Sequence, residues 1–150
     1  MIADAAHVRA LGNFPDALED AQIDPHLRAA RRRLRRWVGS AVYDEAEADA
    51  GPMAKPQTEA LKDAEAYLAI SIGVRSWNVV IENVGNAGVS GLTESGKIGD
   101  DGFRYLSQGA VEKMQEDFML KAEASALDWI IEDYPTPESS PAYDDEGEAI

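Results

Sequence analysis

Ile23-Asp24-Pro25-His26-Leu27-Arg28-Ala29-Ala30-Arg31-Arg32-Arg33-Leu34-Arg35-Arg36-Trp37-Val38 is the stretch whose reading decides the fold. Asp24-Pro25 reads as an N-cap followed by a first helical residue, because proline there has no N–H to lose. At about 100° per residue, Leu27, Ala30, Leu34, Trp37, Val38 and Ala41 share one arc, the stripe of a helix facing a core. The spacing predicts a helix over 25–47. Arg28, Arg31, Arg32, Arg35 and Arg36 occupy the neighbouring arc, and only Arg33 lies away from it.

Six of the fourteen Lys and Arg residues fall between Arg28 and Arg36, in a chain whose formal net charge is −14. Like charges on adjacent turns repel by about 0.2–0.5 kcal/mol per i,i+4 pair. This reading leaves the arginines without local counter-charges and expects an opposing surface to offset the repulsion. The acidic remainder of a second copy supplies one, so Arg28, Arg31, Arg32, Arg35 and Arg36 are the candidate subunit interface. A partner protein, phosphate or plain solvent are the alternatives.

Working outward, a short helix is expected over 3–11 with Gly12 as its stop. Gly51-Pro52 and Pro56 break the chain, and Thr58 can cap a third helix from Glu59. Leu61, Ala64, Leu68 and Ile72 make its first half amphipathic. Val74, Trp77, Val79 and Val80 then spread over other faces, as in a helix buried by more than one neighbour. Residues 78–81 are β-branched enough to be extended instead. A last helix is expected over 108–133 with two apolar stripes. Val111, Met114, Phe118, Ala122 and Trp129 form one; Leu120, Ala124, Leu127 and Ile131 form the other, available to another subunit.

The segment 85–102 holds six of the twelve glycines and reads as a long loop or short hairpin. Beyond Tyr134, Pro135, Pro137 and Pro141 forbid helix, and no basic residue follows Lys121. The tail 135–150 is expected to be disordered alone. The fold class is therefore mostly α: a single domain of about four helices over 1–134, with a Gly-rich loop and an extended acidic tail.

Composition narrows the function. A chain of 150 residues buries roughly 70% of its unfolded surface, enough for one core. With no cysteine, disulfides, thiolate catalysis and Cys-based zinc sites are excluded. No apolar run is long enough for a membrane span, the first residues lack signal-peptide character, and a cytoplasmic site of synthesis is expected. Acidic balance opposes general nucleic-acid binding. The stretch from Gly91 to Lys97 nearly spells a phosphate-binding loop, but Ile98 stands where a hydroxyl must hold magnesium, and Asp100-Asp101 follows. His7 and His26 read as lone surface histidines, and no Ser or Asp is paired with either. Asp100-Asp101 and Asp144-Asp145-Glu146 lack EF-hand spacing and read as solvated acidic segments. Trp37, Trp77 and Trp129 read as packing residues. No enzyme, metal or cofactor is expected.

Two segments together carry a resemblance. A short helix leads through Ile23-Asp24-Pro25-His26-Leu27 into an Ala- and Arg-rich helix. Later, Leu92-Thr93-Glu94-Ser95-Gly96-Lys97-Ile98-Gly99-Asp100-Asp101-Gly102-Phe103-Arg104-Tyr105 precedes the last helix. This layout resembles the head–tail connector, or adaptor, proteins of tailed double-stranded DNA bacteriophages, in which a Ser/Glu-x-x-Ile-Gly-Asp stretch ending in an aromatic lies at this place. The glycine richness and the doubled aspartate depart from that pattern.

The resemblance implies a virion neck protein that forms a ring, commonly of twelve copies, beneath the capsid portal. A stopper or tail-completion protein would meet the other face, and DNA would pass through the centre without specific binding. It implies that the C-terminal segment, with Tyr143, Asp144, Asp145 and Glu146, or the loop, with Ile98 and Asp100, contacts the portal or neck. The competing readings are a monomeric acidic interaction protein that mimics DNA, and a nucleic-acid-binding module using the arginine helix.

Overall fold

The computed structural model describes residues 1–83 and 108–131, and of residues 78–83 the backbone alone. The described residues form five α-helices, with no strand among them. They are α1 (Ala5–Gly12), α2 (Asp20–Val38), α3 (Ser40–Asp49), α4 (Pro56–Asn83) and α5 (Gln108–Ala126), the last followed by a 3₁₀ turn, Leu127–Trp129. The mostly α expectation holds. The Gly-rich segment and the tail lie outside the described residues.

The expected helix over 25–47 is two helices, and its start is also different. Helix α2 begins at Asp20, one turn before the Asp-Pro pair, where the Gln22 side-chain oxygen accepts from the Glu19 N–H at 2.9 Å. This reciprocal N-terminal contact outweighs the proline signal. Pro25 sits inside the helix on its exposed side, so the Ala21 carbonyl that loses a donor is open to water. At the other end Gly39 adopts φ 86°, ψ 151°, ending α2 and starting α3. The break resets the helical phase. Leu27, Ala30, Leu34, Trp37 and Val38 are buried as expected, joined by Ile23, but Ala41 is exposed.

Helix α1 stops one residue later than expected. Asn13, not Gly12, takes the left-handed conformation at φ 53°. Gly12 is instead required for close packing, since a Cβ there would stand 2.3 Å from the Phe14 ring, which folds back over it. Asp4 caps the start, accepting the His7 N–H at 2.8 Å.

Thr58 does not cap α4, which begins at Pro56. Thr58 is buried, and its hydroxyl donates to Asp49 Oδ2 at 2.7 Å, while the Lys55 N–H donates to the same oxygen at 2.8 Å. Asp49 thus fastens the turn between α3 and α4, and these two hydrogen bonds hold its carboxyl below the usual range. Residues 78–81 are helical, not extended.

Helix α4 is the axis of the bundle and packs against α1, α2, α3 and α5. That accounts for its weak amphipathicity: Leu61, Ala64, Ala66, Leu68, Ala69, Ile70, Val74 and Trp77 are all buried, on more than one side. Polar anchors fix its neighbours. Trp77 Nε1–H donates to the Gln22 carbonyl at 3.0 Å, and the Ser71 hydroxyl to the Gln115 carbonyl at 2.7 Å.

The last helix is shorter than the expected 108–133. After the 3₁₀ turn Ile130 is extended, and the Ile131 N–H donates to the Trp37 carbonyl at 2.7 Å. A tertiary hydrogen bond to the end of α2 replaces a continuing helical one.

Candidate interaction surfaces

The arginine arc is built by α2 and partly neutralised by α3. Because Gly39 turns the chain back, α3 brings carboxylates to arginines that the sequence reading leaves without local partners. Arg35 Nη2 lies 3.2 Å from Asp44 Oδ1 and 3.3 Å from Oδ2. Arg31 Nε lies 3.6 Å from Glu47 Oε2. Both guanidinium groups also stand over the Tyr43 ring, at 5.5 Å for Arg31 and 5.9 Å for Arg35. Arg31 and Arg35 thus brace the α2–α3 corner. Arg32, Arg33 and Arg36 are half-buried, and Arg28 is exposed.

Beneath this corner lies a buried carboxylate that sequence reasoning missed. Glu65, on α4, is fully enclosed. Its Oε1 accepts the Ile2 N–H at 3.1 Å and the Ala3 N–H at 3.2 Å, and its Oε2 accepts the Tyr43 hydroxyl. Burial pushes the Glu65 carboxyl up to about 7, against the opposing pull of those donors. Burial and the neighbouring carboxylate also push the Tyr43 hydroxyl far above its ordinary range. Nearby Glu47 is held below the usual range, first by its hydrogen bond with the Met1 amino group.

A perturbed buried acid is a candidate functional group in general. Here three donors satisfy it and no solvent reaches it, so it serves as a clasp joining residues 2–3, α3 and α4. The sequence carries a signal for it: Leu61 and Leu68, at i−4 and i+3, place Glu65 on the apolar face of α4.

The histidines are more engaged than expected. His7 Nε2 lies 2.7 Å from Asp63 Oδ1, tying α1 to α4. His26 stands edge-on to Trp77, ring centres 5.1 Å apart, and burial lowers its pKa. Trp37 and Trp77 are buried, and Trp129 packs half-buried on the core, as expected of packing residues. Among the described residues no three acidic or histidine side chains are grouped to hold a metal ion.

The second surface is on α5. The stripe of Val111, Met114, Phe118 and Ala122 turns inward. The other stripe faces out: Leu120 is 56% exposed, Leu127 67% and Ile131 44%. Helices α2 and α5 both pack on α4, and Ile131, after α5, returns to the C-terminal end of α2 through its hydrogen bond to the Trp37 carbonyl. Ile98, Asp100, Tyr143, Asp144, Asp145 and Glu146 lie outside the described residues, as do the loop and tail that carry them. A scan of family models, a search of curated proteins and a search of solved structures each find no match to this chain.

Proposed function

We propose that this chain is a structural adaptor of a tailed-phage head–tail connector, assembling as a ring between the capsid portal and the neck. The observation that carries the reading is the pair of dissimilar exposed side chains on two helices, the basic Arg28 on α2 and the apolar Leu120 on α5 with Leu127 just after it. A closed ring needs head-to-tail contacts between two different patches of each copy. Basic residues on one face and a net charge of −14 overall favour such pairing and set its orientation. The order of helices and the stretch from Leu92 to Tyr105 support the same reading. An acidic lumen lets DNA pass without sticking. The tail 135–150 and the loop residues Ile98 and Asp100 are the elements assigned to the portal and neck. The role is mechanical, and no reaction is assigned.

The test is affinity capture from the native source with the full chain and with residues 1–134, followed by mass spectrometry. A portal protein retained by the full chain and lost with the shorter one is the expected result. Recovery of nucleic acid, or of a DNA-binding protein without a portal, would overturn the adaptor reading.

A further inference from the structure

We infer that residues 1–3 are a strap on the bundle, docked while Glu65 holds a proton and released when it ionises. Nothing in this depends on the ring reading. Glu65 is fully enclosed, and the Ile2 and Ala3 N–H groups close on one of its oxygens, Oε1, at 3.1 Å and 3.2 Å. Residues 2 and 3 are therefore the cover on that side of the carboxylate. The Tyr43 hydroxyl meets the other oxygen, Oε2, from α3.

The hinge is Asp4, because from there onward the chain is fastened without Glu65. Asp4 accepts the His7 N–H at 2.8 Å, and Val8 is fully buried. His7 Nε2 lies 2.7 Å from Asp63 Oδ1 on α4, and Arg9 reaches Asp20 at 2.8 Å and the Leu18 carbonyl at 2.9 Å. Beneath the strap, Asp49 fastens α3 to α4 through Lys55 and Thr58. Residues 1–3 hold by other means: Glu65, the Met1 amino group on Glu47, and the buried Ile2 and Ala3 side chains. The strap can therefore lift while the bundle stays folded.

Protonation sets how firmly it is held. Enclosed, an ionised carboxylate gives up hydration that three donors replace only in part. A protonated one keeps both backbone contacts and turns its own O–H to the Tyr43 oxygen. Lifting the strap admits water, and the freed acid ionises at its ordinary value. Burial holds the docked acid up to about 7, against 4.5. The charged and titratable groups around it are the Met1 amino group from the strap, which favours the ionised form, and Tyr43 and Glu47 from α3. Arg31 of α2 stands behind Glu47 at 3.6 Å, and the His7–Asp63 pair is the other titratable link from α1 to α4. Between 4.5 and 7 the docked form keeps the proton and the lifted form gives it up. Release therefore grows about tenfold per pH unit across that window and levels off above it. It uncovers Ile2 and Ala3, 7% and 3% exposed when docked, and the Glu65–Tyr43 pair beneath them.

The chain has no cysteine, so an introduced one is the sole thiol. Ala3→Cys is made in the full chain and in full-length Glu65→Gln, and labelled with a dipyridyl disulfide, which reacts in mild acid. Ala48→Cys, at an exposed position of α3, gives the reference rate at each pH. Ala122→Cys, at a fully buried position of α5, reports opening of the whole bundle in both backgrounds. The Ala3→Cys rate relative to the reference is expected to climb across the window toward about 300-fold in all, and to stay flat in Glu65→Gln. The Met1–Glu47 and His7–Asp63 pairs are present in both chains, so the difference belongs to Glu65. A flat ratio in the chain with Glu65, or the same climb in both chains, would overturn the strap. Labelling of Ala122→Cys in step with Ala3→Cys would overturn it too, by showing that the bundle opens as one.

Discussion

Glu65→Ala removes the one acceptor shared by three donors. The Ile2 and Ala3 N–H groups and the Tyr43 hydroxyl would lose their carboxylate, and residues 2 and 3 and Tyr43 are all buried. Each orphaned donor costs about 1–3 kcal/mol, less whatever water recovers by peeling residues 1–3 from the bundle. A loss of about 3 kcal/mol follows, or a fall in Tm of about 10 °C for a chain of this size. Glu65→Gln differs: its Oε1 can still accept both backbone N–H groups, and its amide can donate to the Tyr43 oxygen, as a protonated acid would.

That makes Glu65→Gln the probe of pH. The folded carboxyl lies near 7 and the ordinary value is 4.5. Between those values the unfolded chain has ionised Glu65 while the folded chain keeps its proton. The wild type therefore holds the full contribution of this group below 4.5 and loses it as pH rises through 7. Glu65→Gln has nothing to titrate there, so it should gain on the wild type by about 3 kcal/mol across the window. Urea melts of the three chains at a series of pH values measure this. A loss under about 1 kcal/mol for Glu65→Ala refutes the clasp. A gap between Glu65→Gln and the wild type that stays constant, or narrows with rising pH, refutes the protonation argument.

Other substitutions separate the packing of the bundle from its outward faces. Gly39→Ala places a side chain at φ 86° and 3.2 Å from Ile131 Cδ1. It should cost about 1–3 kcal/mol in a thermal melt and loosen the α2–α3 corner. Trp77→Phe keeps most of the ring but loses the 3.0 Å bond to the Gln22 carbonyl, for a cost of about 1–3 kcal/mol by denaturant titration. Leu120→Glu/Leu127→Glu changes two residues exposed by 56% and 67%. Melting should move by no more than about 0.5 kcal/mol per site, while ring assembly, read by light scattering with the captured portal, should fail.

The inward faces are legible because periodicity alone decides them. Leu27, Leu34 and Trp37 on α2, and Leu61, Leu68 and Trp77 on α4, lie where their spacing puts them. The errors arise where a local signal meets a longer-range one. Asp24-Pro25 is a good helix start, yet the Glu19–Gln22 contact begins the helix a turn earlier. Gly39 does not read as a break because its neighbours continue the apolar stripe; its positive φ ends that stripe and carries Ala41 to the surface. The same break explains why the arginines have nearer partners than one helix suggests. Which carboxylates meet Arg31 and Arg35 depends on the angle between α2 and α3, which the composition of one helix cannot give. Glu65 escapes sequence reasoning for a related cause. Its position on an apolar face is visible, but its donors come from residues 2, 3 and 43, distant in sequence.

The central claim is that copies of this chain close into a ring through unlike faces, and electron microscopy of the complex captured by the full-length chain tests it most directly. The account predicts a closed ring seated on a portal, with α2 of one copy meeting its neighbour and a central channel for DNA. Single copies bound to nucleic acid, or to a DNA-binding protein with no ring, would contradict it.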